Sequence, residues 1–401
     1  MTTNVALCPW NKTHQLLHIG LKGRIPNAEQ LAPSNLVFLI DVSGSMGPVD
    51  RLPLIKEGLK MMVRQLRAED KVSLVVYAGS AGEVLAPTSG DQKQTIINAI
   101  DNLNAGGSTA GGQGIELAYN LAKKSFITGG NNRVILATDG DFNVGVSDTA
   151  QLTRIIEEKR KDGIFLTVLG VGQDNLKDGR MMQIADIGNG NYYYLDTMKE
   201  AQKVLVRELG STIYTIAKDV KIQIEFNPNT VKEYRLIGYE KRVLNEEDFN
   251  NDKKDAGEIG AGHTVTALYE IVPAGAKGEN TSLDALKYQK TQTVASDEIL
   301  TVKLRYKEPT ADVSKLITKT IKSSEINSEP AGDFAWAASV AEVGMLLRNS
   351  EFKGTASYDA VIKALRANIG EDKFGLKSEF ITLVETAQGL APNQSGTLQF
   401  K

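Results

Sequence analysis

Residues 35–41 read NLVFLID, and residues 42–47 continue VSGSMG. The first stretch is an unbroken apolar run closed by an aspartate, which suits a strand buried on both faces of a parallel sheet. The second is a loop. A helical spacing then takes over, with Ile55, Leu59, Met62, Val63 and Leu66 recurring on one face. Asp41 therefore stands at the carboxyl end of a buried strand, directly before a loop and a helix.

The alternation repeats downstream. Residues 71–77 (KVSLVVY) read as a strand, and 83–86 as a short return strand after the glycine-bearing turn at 79–82. Residues 94–103 carry Ile96, Ile97, Ile100 and Leu103 on one helical stripe, and 114–126 form a second helix. Residues 133–138 (RVILAT) are a strand, 149–160 a charged helix, 164–170 a strand, 180–187 a short helix, 192–195 a last strand and 198–214 a closing helix. Strands separated by helices mean βαβ units and a doubly wound, mostly parallel α/β sheet. We place this domain at residues 34–215.

After residue 215 the period changes to two. Residues 220–226 (VKIQIEF), 263–271 (HTVTALYEI) and 299–306 (ILTVKLRY) alternate apolar and polar, with turn-rich and charge-rich sequence between them. This pattern predicts an antiparallel β-sandwich over 216–328. Residues 14–21 (HQLLHIGL) alternate too, and are too short to fold alone. We expect the segment 1–33 to lend a strand to that later sandwich, which makes the α/β domain an insertion into it. From residue 329 to 401 the signal is helical, over 334–347, 358–369 and 377–388.

Bulk properties narrow the function. The chain has 401 residues, 41% hydrophobic and 24% charged, as in ordinary globular proteins. Its formal net charge of -3 offers no basic face to nucleic acid. No apolar run approaches the roughly 20 residues of a membrane span. The single cysteine, Cys8, excludes an internal disulfide and a Cys/His zinc cluster. The first residues show neither a basic n-region nor an apolar h-region of a signal peptide.

Three segments carry the chemistry: Asp41-x-Ser43-x-Ser45, Gly106-Gly107-Ser108-Thr109 and Thr138-Asp139-Gly140. Each lies in a loop leading into a helix. Asp41 ends the first strand of the domain and Asp139 the fourth. In the common strand order 3-2-1-4-5-6 these two strands flank the crevice where ligands bind. Carboxylates and hydroxyls are hard oxygen ligands, the set Mg²⁺ takes in a near-octahedral shell that keeps several waters. Two carboxylates and three hydroxyls leave a dication with residual positive character and an open position, which an Asp or Glu of a partner protein can fill.

The order DxSxS, Gly-Gly-Ser-Thr, TDG resembles the metal-ion-dependent adhesion site (MIDAS) of von Willebrand factor type A (VWA) domains. Carried over residue by residue, the resemblance implies Asp41, Ser43, Ser45, Thr109 and Asp139 as the five metal-site residues, with Mg²⁺, or another divalent cation such as Mn²⁺ or Ca²⁺. The stretch Cys8-Pro9-Trp10-Asn11, the run TDGDFNVG at 138–145 and the β-rich region after residue 215 are similar to a bacterial group of VWA proteins, the YfbK-like group. That resemblance implies the cell envelope, periplasm or outer surface, as the location.

Competing motifs are weaker. Gly107-x4-Gly112 lacks the Lys and Ser/Thr of a phosphate loop, and Asn175 stands where a dinucleotide fingerprint after Gly170-x-Gly172 needs its third glycine. His14, His18 and His263 all fall outside 34–215, so no Ser-His-Asp triad assembles there, and His14 and His18 read as ordinary surface or sheet residues. Residues 246–255 (EEDFNNDKKD) lack EF-hand spacing and read as a solvated loop rather than a Ca²⁺ site. Tyr192, Tyr193 and Tyr194 read as packing residues of an edge strand. The expected function is Mg²⁺-dependent binding of a protein carboxylate, without catalysis. Two alternatives are an envelope assembly module whose metal only stabilises loops, and a metal-dependent hydrolase using Asp50 or Asp141 as base.

Overall fold

A computed structural model of the chain describes residues 1–25, 31–78, 80–106, 112–140, 149–173, 177–208, 215–239, 245–252, 256–276, 296–309 and 311–391. The chain divides into two compact units. One comprises Met1–Lys22, Lys218–Gly257 and Thr264–Lys401; the other comprises Gly23–Ala217 with Glu258–His263. The second unit thus interrupts the first. The interrupted unit opens with a hairpin of β1 (Thr2–Cys8) and β2 (Asn11–Lys22), two strands where the alternation alone indicates one.

The α/β unit contains β3 (Ser34–Asp41), α1 (Leu52–Val63), β4 (Lys71–Ala78), β5 (Ser80–Ser89), α2 (Lys93–Asp101), α3 (Gly112–Lys124), β6 (Asn131–Thr138), α4 (Thr149–Lys161), β7 (Ile164–Val171), α5 (Asp178–Ile187), β8 (Tyr192–Leu195) and α6 (Met198–Gln202). The sheet runs β5-β4-β3-β6-β7-β8, which is 3-2-1-4-5-6 in the unit's own strand count, with β5 alone antiparallel. β3 is buried along its whole length because it feeds both layers. Leu36, Phe38 and Ile40 pack with α1, α2 and the Ala201–Leu205 region, whereas Val37 and Leu39 pack with α3, α4 and α5.

Two elements differ from the sequence reading. β5 spans ten residues, longer than the short return strand expected, because it pairs with β4 over nearly its full length. The closing helix is α-helical only to Gln202 and continues as a π-helical turn over Lys203–Glu208. That turn keeps Val204 and Leu205 buried, with Leu205 seated where a side chain on Gly58 of α1 would stand. Residues 209–214 of the expected helix lie outside the described residues.

The chain continues with β9 (Thr215–Phe226), β10 (Val231–Ile237), β11 (Gly257–Gly260), β12 (Thr264–Pro273), β13 (Glu298–Lys307), β14 (Lys315–Lys322) and β15 (Ile326–Asn327); all but β11, which apart from Gly257 falls in the α/β unit, belong wholly or mostly to the interrupted unit. One sheet runs β10-β12-β2-β1-β15, so the N-terminal β2 sits at its centre, antiparallel to β12 with Leu17 opposite Tyr269. β9, β13 and β14 form a second antiparallel sheet. Phe226 of β9 stacks on Tyr234 of β10 with ring centroids 4.1 Å apart, so aromatic faces of the two sheets meet there.

Three helices follow: α7 (Asp333–Leu347), α8 (Tyr358–Ala367) and α9 (Leu376–Leu390). α7 is apolar all round because it is covered on two sides. Phe334, Ala338 and Met345 pack with Ala6, Cys8, Trp10 and Leu16, while Val343 packs with Val361, Leu365 and Val384 of α8 and α9.

Two sequence expectations gain detail in this unit. His14 and His18 are sheet residues, as expected, and both are buried in β2. His14 Nδ1 lies 2.6 Å from Glu270 Oε1 across the β2–β12 pairing, and His18 stacks on Phe334. The described part of the 246–255 loop is pinned rather than simply solvated: Lys221 Nζ donates to the carbonyls of Asp248 and Asn251, and Lys307 Nζ to that of Asp252. Ammonium groups projecting from β9 and β13 therefore already use these loop oxygens.

Candidate metal centre

β3 and β6 are parallel neighbours, so their carboxyl ends lie side by side at the strand-order switch. This brings Asp41, the last residue of β3, next to Thr138 and Asp139 at the end of β6. Asp41 is fully buried, and both of its oxygens are occupied. Oδ1 accepts from the Ser43 backbone N–H at 2.9 Å, the short Asx turn that starts the loop. Oδ2 accepts from the Tyr77 hydroxyl at 3.1 Å and the Thr138 hydroxyl at 3.2 Å. Tyr77 is Asp41's register partner on β4.

The loop after Asp41 is equally determined. Met46 N–H closes a turn on the Ser43 carbonyl, and Gly106 N–H donates to the Val42 carbonyl. The Ser43 and Ser45 hydroxyl oxygens lie 3.0 Å apart. Asp139 is 2% exposed. Its Oδ2 accepts from Arg51 Nη1 at 2.8 Å, and the same nitrogen donates to the Ser45 carbonyl at 2.9 Å. Its Oδ1 is buried with no hydrogen-bond partner among the described residues. Gly140 follows at φ +104°, a conformation that favours glycine and turns the chain away from the strand.

Electrostatics follow the burial. Desolvation pushes the Asp41 carboxyl above its ordinary range, the Asp139 charge adds to this, and the hydrogen bonds from Ser43 and Tyr77 oppose it. Burial and the Asp41 charge push the Tyr77 phenol well above its ordinary value, so its proton stays on and donates. A buried carboxylate pair with hydroxyls beside it is an anionic, oxygen-lined cradle.

This donor set fits a divalent cation. A buried carboxylate oxygen left without a partner costs free energy, and Asp139 Oδ1 is such an atom among the described residues. Of the five expected residues, the structure places Asp41, Ser43, Ser45 and Asp139 in one cluster. Thr109 lies outside the described residues, as does Asp141. Two participants were not singled out in the sequence. Tyr77 ends an apolar strand like any packing residue, and Arg51 sits ten positions beyond Asp41 at the start of α1, where Pro53 marks the helix's first turn.

Comparison with known proteins agrees with this architecture. Residues 35–208 match the von Willebrand factor type A domain, and residues 211–390 match the family described as "Uncharacterized protein YfbK, C-terminal". The chain is 45% identical over 394 residues to the uncharacterized protein YfbK of Escherichia coli (strain K12), covering 97% of this chain and 68% of that protein. It is 30% identical over 153 residues to the magnesium-chelatase 60 kDa subunit of Rhodobacter capsulatus, covering 36% of this chain and 27% of that subunit. The solved structure of a von Willebrand factor type A protein from Catenulispora acidiphila shares the fold, with a TM-score of 0.54 at 16% identity over 99% of this chain and 91% of that one. Among the described residues no helix is long and apolar enough to cross a membrane. With the α/β crest, the interrupted β unit and nearly the whole length matched, the chain belongs to the YfbK family, a von Willebrand factor type A domain joined to the YfbK C-terminal domain.

Proposed function

We propose that this protein binds another protein through a Mg²⁺ ion held at the crest of the α/β unit, without catalysing a reaction. The observation that carries the reading is the buried Oδ1 of Asp139, without a hydrogen-bond partner among the described residues, at a crest that also holds Asp41 and the Ser43 and Ser45 hydroxyls, 3.0 Å apart. Ser43, Ser45 and Asp139 would hold the ion. Asp41, whose oxygens are engaged by Ser43, Tyr77 and Thr138, would act from behind them through hydroxyl or water. Thr109 belongs to the proposed set on the sequence motif alone. The bound ion would supply Lewis-acid attraction for a carboxylate, and an Asp or Glu side chain of the partner is the group it would recognise.

The support is chemical: all the donors are hard oxygens, and hydroxyls outnumber carboxylates, so the ion's charge is not cancelled by its own site. Titration of Mg²⁺ into the full chain and into Asp41→Ala tests the reading directly. Binding is expected for the wild type and lost in the variant; equal affinity in both removes the proposal. Pull-down from a bacterial lysate with Mg²⁺, eluted with EDTA, then identifies the partner. The envelope location is part of the same proposal and is checked by cell fractionation.

A further inference from the structure

The crest contains a cation of its own. The Arg51 side chain is 9% exposed, and its Nη1 donates to Asp139 Oδ2 and to the Ser45 carbonyl. Gly172, just beyond β7, makes room for it: a Cβ there would stand 2.5 Å from Arg51 Nε, and the glycine's φ of +78° is one that side-chain-bearing residues avoid. Three segments thus cooperate to bury one positive charge against a candidate metal ligand.

We propose that Arg51 is a positioning residue and internal counter-charge of the metal centre. It holds Asp139 by Oδ2, which leaves Oδ1 for the ion, and it cancels the charge of that carboxylate. The seat then carries one net negative charge fewer than its carboxylates alone would give it. A dication is held more weakly in the free protein, and it retains more attraction for an incoming carboxylate. This rests on the metal-binding reading above.

The inference makes an ordering that simple positioning does not. Relative to the wild type, Arg51→Met adds one net negative charge at the seat, Asp139→Asn removes one, and the double variant restores the wild-type count. Because charges a few ångströms apart in a poorly screened site interact strongly, each added negative charge should tighten Mg²⁺ by about tenfold or more. The expected order of affinity is therefore R51M tightest, wild type and the double variant close together, and D139N weakest. Arg51→Lys, which keeps the charge, should stay near the wild type.

Calorimetric titration of Mg²⁺ and Mn²⁺ into the wild type and the five variants, Asp41→Ala included, with far-UV circular dichroism to check folding, reads this order. If Arg51 only orients Asp139, R51M binds no tighter than wild type and the double variant no tighter than D139N, and the proposal is overturned. The double variant removes both members of the Arg51–Asp139 pair, so neither is left buried without the other, and it reports even where R51M fails to fold. Asp41→Ala separates the two levels: wild type and D41A binding alike sinks the metal reading, whereas loss in D41A with the wrong order among the others sinks only the role of Arg51.

Discussion

Glu342 lies buried on α7, and desolvation raises its carboxyl from an ordinary 4.5 to about 7. Between those values the folded chain keeps a proton on Glu342 that the unfolded chain has released. The folded state binds more protons across that window, so stability is present at its acid end and is lost as the pH rises through about 7. Each pH unit of the window is worth about 1.4 kcal/mol, which puts the loss at about 3 kcal/mol for the unit that contains α7. Glu342→Gln removes the titration while keeping size and burial. The variant should be about as stable as wild type under acid conditions and more stable by about 3 kcal/mol above about pH 8.

The assay is denaturant unfolding followed by tryptophan fluorescence, since both tryptophans, Trp10 and Trp336, belong to that unit. His18 titrates in the opposite sense. Burial lowers its pKa, so its contribution grows as the pH rises, and comparison of wild type with E342Q cancels it. Identical pH slopes in the two proteins would falsify the argument that burial of Glu342 sets the dependence.

Three further perturbations have defined outcomes. Tyr77→Phe deletes the phenol that donates to Asp41 and should cost the α/β unit about 1–2 kcal/mol, an unreplaced bond to a buried carboxylate, read by far-UV circular dichroism melts. Gly172→Ala imposes a left-handed conformation on alanine and a 2.5 Å approach to Arg51. It should cost about 2 kcal/mol or more by the same melts, as the backbone term alone is about 1–2 kcal/mol. Cys8 is buried beside Trp10, and burial pushes its thiol up to about 12. Iodoacetamide should leave it unmodified in the native protein at mildly alkaline pH and label it fully in denaturant, as mass spectrometry would show; rapid native labelling would contradict the packing described.

Much of the α/β unit was legible because its strands are long apolar runs and its helices have one stripe each. NLVFLID could only be a strand covered on both sides, and the structure divides its residues between two layers. The β unit was less so. β10, β14 and β15 carry weak alternation, and β1 looks like a polar terminus until β2 pairs with it. The stretch Cys8-Pro9-Trp10-Asn11 stood out only through its family resemblance, and nothing local shows that it turns a hairpin or that Trp10 ends up 1% exposed in a core shared with α7.

The site divides along the same line. The sequence singled out three oxygen-bearing loops after buried strands or helices, and the resemblance to the metal-ion-dependent adhesion site implied Asp41, Ser43, Ser45, Thr109 and Asp139 within them. Tyr77, Arg51 and Gly172 could be found only in three dimensions. The first matters through a parallel register that sets it opposite Asp41. The other two matter through a meeting of side chains from separate loops. Local sequence dictates which strand ends carry oxygen, since that depends on neighbours along the chain. Which charges those oxygens face depends on strands aligned from afar, and only the folded sheet makes that choice.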